Sequence, residues 1–254
     1  MAKATRGGKR VTIQIPVTPP VTPPTPPTPA PEEPENTLPT VDEFDKMSID
    51  EKADVIAEAI SKDVPDFFND NSFERLAYNL EGIDGKPAIA DDSSLDSMKG
   101  TELFRTVNDT YDRKNDVNYT AKQIYNQIAK GTNTRASNSG GSAYGRGLYF
   151  AHTYTGSTAY AGSPGKSLVM RAKITSGKGI NAYTASSNAA SEIARGTKLG
   201  KVLAKCDSTS RSAIWARANG YSYMDDGYND YYVVIDRRCL TMSSKTKQPT
   251  GRTW

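Results

Sequence analysis

A chain of 254 residues with a formal charge of +3 and 36% hydrophobic residues is long enough for one ordinary domain with extensions, or two small ones, and too polar to lie wholly in a core. A pI near 8.7 is too mild for a dedicated nucleic-acid binder, and no apolar run reaches the length of a membrane span or a signal-peptide core, so a soluble, cytoplasmically made protein is expected. The two cysteines, Cys206 and Cys239, match no zinc or redox spacing; a disulfide stays open, but isolated thiols fit a reducing compartment better.

Residues 1–15 begin with a basic arm, Lys3, Arg6, Lys9 and Arg10, and continue through Val11, Ile13 and Ile15, the alternation of a short strand that could add to a partner's sheet edge. Residues 16–37 are dominated by TPPVTPPTPPTPAPEEP. Proline fixes φ and removes backbone donors, so this stretch is expected as a polyproline II spacer of about 3.1 Å per residue. Arm and spacer read either as a tether that docks onto something larger or as a disordered tail.

Residues 38–100 are expected to form a small helical cap. Ser48 and Glu51 make a capping box, and Ile49, Ala53, Ile56 and Ile60 follow at helical spacing until Pro65. A second helix is expected over Ser72–Leu80, with Phe73, Leu76 and Leu80 on one side, before a turn-rich stretch from Glu81 to Gly100.

The main domain is expected over residues 101–245, with a tail at 246–254. Glu102–Val107 reads as a strand with Arg105 at its centre. A guanidinium there must find an anion or a carboxylate, because an unpaired buried charge is costly. Its planar fork suits phosphate or a ribose edge; the alternative is pairing with Glu102 or Asp109. Thr120–Lys130 is an amphipathic helix through Ile124, Tyr125 and Ile128, and the loop from Gly131 to Ser142 either closes over a ligand or merely connects.

The stretch GRGLYFAHTYTGSTAYAG, Gly145 to Gly162, carries the chemistry. A strand over Leu148–Ala151 and a helix opening at Gly156 would set Tyr149 and Tyr160 across a slot one ring wide. Two phenol faces suit a flat cationic ring, through stacking and cation–π attraction of roughly 0.5 to 2 kcal/mol per face. Ser157 offers a hydroxyl to an amide edge, and Gly147 permits close backbone approach. The plainer reading makes these aromatics core residues. His152, with no nucleophile beside it, reads as a surface side chain.

Further on, Ser167–Ile174 alternates as a strand, with Leu168, Met170 and Ala172 opposite Arg171 and Lys173. A short helix is expected over Ala189–Ala194, a strand over Lys201–Lys205, a helix over Ser212–Ala218 carrying Trp215, and a buried strand, NDYYVVID, over Asn229–Asp236. Short strands mixed with short helices point to an α+β domain of packed sheets, and no G-x-G-x-x-G opens a βα unit of the doubly wound kind.

The string G-x-G-L-Y-F-A, five residues, then S-x-A-Y, ungapped from Gly145 to Tyr160, resembles the nicotinamide-binding segment of ADP-ribosyltransferases of the poly(ADP-ribose) polymerase type. The resemblance implies packed antiparallel sheets with short helices, NAD as substrate and no metal. It implies that Tyr149 and Tyr160 sandwich nicotinamide, that Ser157 binds its carboxamide, and that Thr106 and Gly147 complete the cofactor contacts. Arg105 corresponds to the first-strand arginine of the bacterial-toxin-like branch and would hold ribose or pyrophosphate. The family places a glutamate at the head of its closing strand; aligning on Val233 and Val234 puts Tyr231 there, with Asp230 the nearest acid. A bulge would bring Asp230 in, although aspartate is shorter; otherwise Asp230 is a turn residue.

The implied activity is transfer of ADP-ribose from NAD to a protein or nucleic-acid acceptor, with Arg105, Tyr149 and Asp230 catalytic and an acceptor loop within Gly220–Asn229. Residues 1–15 would dock onto a larger assembly, with a phage particle as the context that the family and the tether imply. The alternative is a capsid-associated structural protein that keeps the fold without turnover. A nucleic-acid module using the basic arm is a third reading.

Overall fold

The computed structural model describes residues 39–62, 85–112, 117–131, 147–206, 208–228 and 230–249. The tether, the helix expected at Ser72–Leu80, the loop beyond Gly131 and the end of the tail lie outside them. All the described residues fall in one compact unit.

Eight strands form one mixed sheet. Their spatial order is β1 (Ala88–Ala90), β10 (Leu240–Lys247), β6 (Ser167–Ile174), β2 (Thr101–Asn108), β5 (Leu148–Ala151), β9 (Tyr231–Val234), β8 (Tyr223–Asp225) and β7 (Gly179–Asn181). Two pairs, β1 with β10 and β7 with β8, are parallel and the rest antiparallel. The class is α+β, but the expected all-antiparallel sheets give way to one mixed sheet, because helices link β7 to β8 in a crossover that returns the chain in the same direction. A hairpin of β3 (Thr110–Asp112) and β4 (Val117–Tyr119) stands apart.

The junction between β2 and β5 matters most for the site. β2 pairs with β6 along eight residues, yet with β5 only at Phe104 and Ala151. The sheet is therefore two half-sheets that meet at a single residue pair and then diverge. Pleating carries Phe104, Thr106, Tyr149, Ala151, Tyr231 and Val233 to one face, and Leu103, Arg105, Val107, Leu148, Phe150 and Tyr232 to the other.

Each face is buried against helices. Leu103, Val107, Phe150 and Tyr232 pack with Tyr125 and Ile128 of α4 (Ala121–Lys130), which the Thr120 and Gln123 capping box opens. The other core gathers Phe44 of α1 (Val41–Lys46), Ala53 and Ile56 of α2 (Ile49–Lys62), Ala185 of α6 (Ala182–Arg195), Leu203 of α7 (Lys198–Ala204) and Trp215 of α8 (Ser208–Ala218). Two short helices, α3 (Asp92–Ser97) and α5 (Tyr154–Thr158), complete the described set.

Several expectations change. Lys201–Lys205 lies in and just after α7 rather than in a strand: Leu199, Val202 and Leu203 are buried at helical spacing, and the Thr197 hydroxyl caps the helix from 3.0 Å at the Gly200 amide. A Cβ at Gly200 would stand 2.0 Å from the Glu192 carbonyl, so α6 and α7 touch backbone to backbone there. The helix expected at Ala189–Ala194 is the end of a longer one, capped by Asn181 and stopped by left-handed Gly196. Ser48 and Glu51 do cap α2 reciprocally, but Ile49 points to solvent. Residues 38–100 are also more than a cap. They supply the edge strand β1, and Phe44, Ala53 and Ile56 share a core with residues 182–235. β10 runs to Lys247, into the expected tail.

An ionic lattice ties α1 to the closing strand. Asp45 accepts from Arg217 at 2.8 Å and pairs with Arg238, which also meets Asp236 at 2.7 Å and Asp42 at 3.1 Å. Arg217 and the Lys52 ammonium lie 5.1 and 5.5 Å from the Phe44 ring. Burial pushes the Asp45 carboxyl up, but the hydrogen bonds from Arg238 and Arg217 outweigh it and hold the group below its ordinary value.

Candidate functional site

The site grows from the place where β2 and β5 part. Beyond Ala151 the Tyr149 carbonyl has no ladder partner on β2, and the Arg105 side chain supplies one, Nη1 donating at 2.7 Å. That is the one hydrogen bond the guanidinium makes among the described residues, and Nε is buried without a partner. The carboxylates expected to neutralise it are engaged elsewhere. Glu102 accepts from Arg171 Nε at 2.6 Å, and Asp109 accepts from the Ala121 amide at 2.8 Å. Burial drags the Arg105 pKa down to about 10, against a weaker upward pull from the Tyr149 phenol, so the group stays cationic at neutral pH. Here is a buried cation with no counter-charge among the described residues.

Beside it, α5 is pinned to β2. Thr153 caps the helix, its hydroxyl accepting from the Gly156 amide at 3.0 Å, so the helix opens before Gly156 and already includes Ser157. The Thr106 hydroxyl donates to the Ser157 carbonyl at 2.8 Å and lies 2.9 Å from the Ser157 hydroxyl. Ser157 is buried, and its hydroxyl keeps further hydrogen-bonding capacity beyond Thr106. Asn108 holds the segment that follows, donating to the Tyr160 carbonyl and accepting from the Gly162 amide, both at 2.9 Å.

The aromatic residues share one face. Tyr149 is half-buried against the helical core, while Tyr160 is 57% exposed and meets Tyr231 edge-on, ring centroids 6.3 Å apart. A hydrogen bond between the two phenols, with burial added, raises the Tyr160 pKa to about 12. Its hydroxyl is thus protonated at any physiological pH.

No protein-family model, curated protein or solved structure matches the chain.

Two expected residues and one expected loop have these places. Asp230 is exposed in the turn ahead of β9, its amide donating to Asp226 at 3.3 Å and its carbonyl accepting from the His152 amide at 3.0 Å. The pairing of β5 with β9 is regular through Ala151 and Tyr231, so no bulge draws the Asp230 carboxylate inward, and the phenol of Tyr231 takes the place beside Tyr160. Gly147 has φ 153°, and a Cβ there would come within 2.6 Å of both Val233 Cγ1 and the Val234 carbonyl oxygen. Its close approach is to β9. The acceptor loop expected within Gly220–Asn229 contains β8, anchored by fully buried Met224.

Thr106 and Ser157 do come together, on the face that also carries Tyr149; Arg105 leaves β2 on the opposite face and reaches the junction through its bond to the Tyr149 carbonyl. Asn108 carried no sequence signal. Among the described residues no cluster of three or more His, Cys, Asp or Glu could hold a metal ion, and no helix is long and apolar enough to cross a membrane. Both cysteines are free and buried, and burial pushes the Cys239 thiol up to about 12, which removes it as a nucleophile at neutral pH.

Proposed function

We propose that the domain binds NAD and transfers its ADP-ribose to a protein or nucleic-acid acceptor, in the manner of an ADP-ribosyltransferase. The observation that carries this reading is the Arg105 guanidinium, buried without a carboxylate where the sheet divides. A site that maintains an uncompensated cation is prepared for an anion, and the pyrophosphate of a dinucleotide supplies one. Tyr149 and Tyr160 would flank the nicotinamide ring. Ser157, oriented by Thr106, would take its carboxamide.

Cleavage of the ribose–nicotinamide bond builds positive charge on the ribose, and a carboxylate on the 2-hydroxyl strengthens its hold as that charge grows. Asp230, next to the position of the family's glutamate, is the candidate and must turn inward from its exposed position to act. The 1–15 arm and the 16–37 spacer would deliver the domain to a larger assembly, such as a phage particle.

The phenol of Tyr231 beside Tyr160 favours a second reading: a domain that binds the dinucleotide without turning it over. Nicotinamide release from NAD by the full-length chain separates the two. Transfer predicts release that falls at least a hundredfold in Asp230→Asn and in Tyr149→Ala. Binding without release in the native chain, with release appearing in Tyr231→Glu, would establish the second. A native chain that neither binds NAD nor releases nicotinamide contradicts both.

A further inference from the structure

A cavity of about 560 Å³ opens along β2, β6 and β10, with Tyr154 of α5 in its wall. Its cause is a fault in the β10 ladder. Met242 lies opposite Ala172 and Thr246 opposite Met170, so residues 243–245 face Arg171 alone. The surplus backbone leaves the sheet plane and re-aims its side chains, as bulges beside binding sites do.

The cavity is lined by two chemically distinct sets of side chains. One is apolar and aromatic: Val169, with Phe104 and Tyr154 in edge-to-face contact at 5.9 Å, the Tyr154 hydroxyl donating to the Gln248 carbonyl at 3.3 Å. The other is charged. Arg171 is neutralised by Asp96 and Glu102, and Asp92 accepts from the Ser243 hydroxyl at 2.5 Å. Lys245 and Lys247 are exposed on the rim, and neither forms an ion pair with a described residue. The volume falls within the usual range for small-ligand sites, about 300 to 1,000 Å³.

We propose that this cavity binds a nucleotide, with the base against Phe104 and Tyr154 and the phosphate on Lys245 and Lys247. Every base has a π face, so the aromatic part is tolerant of base identity. Two unspent ammonium groups next to it set the position of the phosphate, and the Asp92 carboxylate, held by the Ser243 hydroxyl, repels it from that part of the wall. The nucleotide is either free or one unit of a single strand. This site shares no lining residue with the proposed NAD pocket, although Val169 pairs with Thr106 in the ladder between β2 and β6, and it does not rest on that reading.

Calorimetric titration of the full-length chain with AMP and with an eight-nucleotide oligo(dA) tests it. Saturable binding of AMP identifies a free nucleotide; binding of the oligonucleotide alone identifies a strand, with a log–log salt slope near −1.4 for about two phosphate contacts. In either case Lys245→Ala with Lys247→Ala weakens binding at least tenfold while the urea midpoint is unchanged, Tyr154→Ala weakens it at least fivefold, and Arg105→Met leaves it intact. Failure of both ligands to bind, binding indifferent to the lysine pair, or binding abolished by Arg105→Met, which would locate the ligand in the other pocket, overturns the proposal.

Discussion

Replacing Phe44 with alanine should lower the unfolding free energy by roughly 3 to 5 kcal/mol, the range for deleting a fully buried aromatic ring. Phe44 is 1% exposed and is the aromatic contribution of α1 to the helical core. Its loss leaves a cavity between α1, α2 and α8 and strips Arg217 and Lys52 of the ring face they lie over. The Asp45, Arg217 and Arg238 lattice cannot compensate, since partly exposed ion pairs contribute about 1 kcal/mol or less apiece. Urea unfolding of the full-length chain measures this. A loss below about 1 kcal/mol would mean that α1 is not part of the cooperative unit.

Arg105→Met should behave in the opposite way. Removing the guanidinium forfeits a charge-assisted hydrogen bond to the Tyr149 carbonyl, about 1.5 to 3 kcal/mol. It also relieves the burial of a cation that lacks a counter-charge, a penalty of several kcal/mol. The two nearly cancel, so stability should stay within about 1 kcal/mol of the native chain or rise. NAD affinity should fall at least tenfold, about 1.4 kcal/mol. A structural arginine would give the reverse pattern, with stability collapsing by about 3 to 5 kcal/mol as for a broken buried pair. Urea unfolding and NAD titration on the same preparation distinguish them.

Much of the scaffold was legible because local pattern and tertiary packing agree. Leu148–Ala151 and Ser167–Ile174 read as strands and are strands; the Thr120–Lys130 stretch reads as an amphipathic helix and buries Tyr125 and Ile128. Short elements were not. The three-residue strands β1, β7 and β8 offer too few alternations to register as strands, and their existence depends on pairing with distant partners. Lys201–Lys205 looked like a strand because a five-residue apolar window cannot tell a period of 2 from one of 3.6; the preceding Thr197 cap and the contact at Gly200 decide for helix.

The site divides along the same line. That Arg105 needs an anion followed from its place in a strand, but that Glu102 and Asp109 are both taken is a fact of three-dimensional pairing. Asp230 entered as the acid closest to a family position. Only the register of β5 against β9 shows Tyr231 directed toward Tyr160 and Asp230 left in the turn.

A crystal structure of the full-length chain with NAD bound is the decisive measurement. Nicotinamide between the rings of Tyr149 and Tyr160, its amide on Ser157, with a phosphate or ribose oxygen within about 3 Å of the Arg105 guanidinium, is the predicted result. NAD seated elsewhere, with Arg105 still bonded only to the Tyr149 carbonyl, would contradict it.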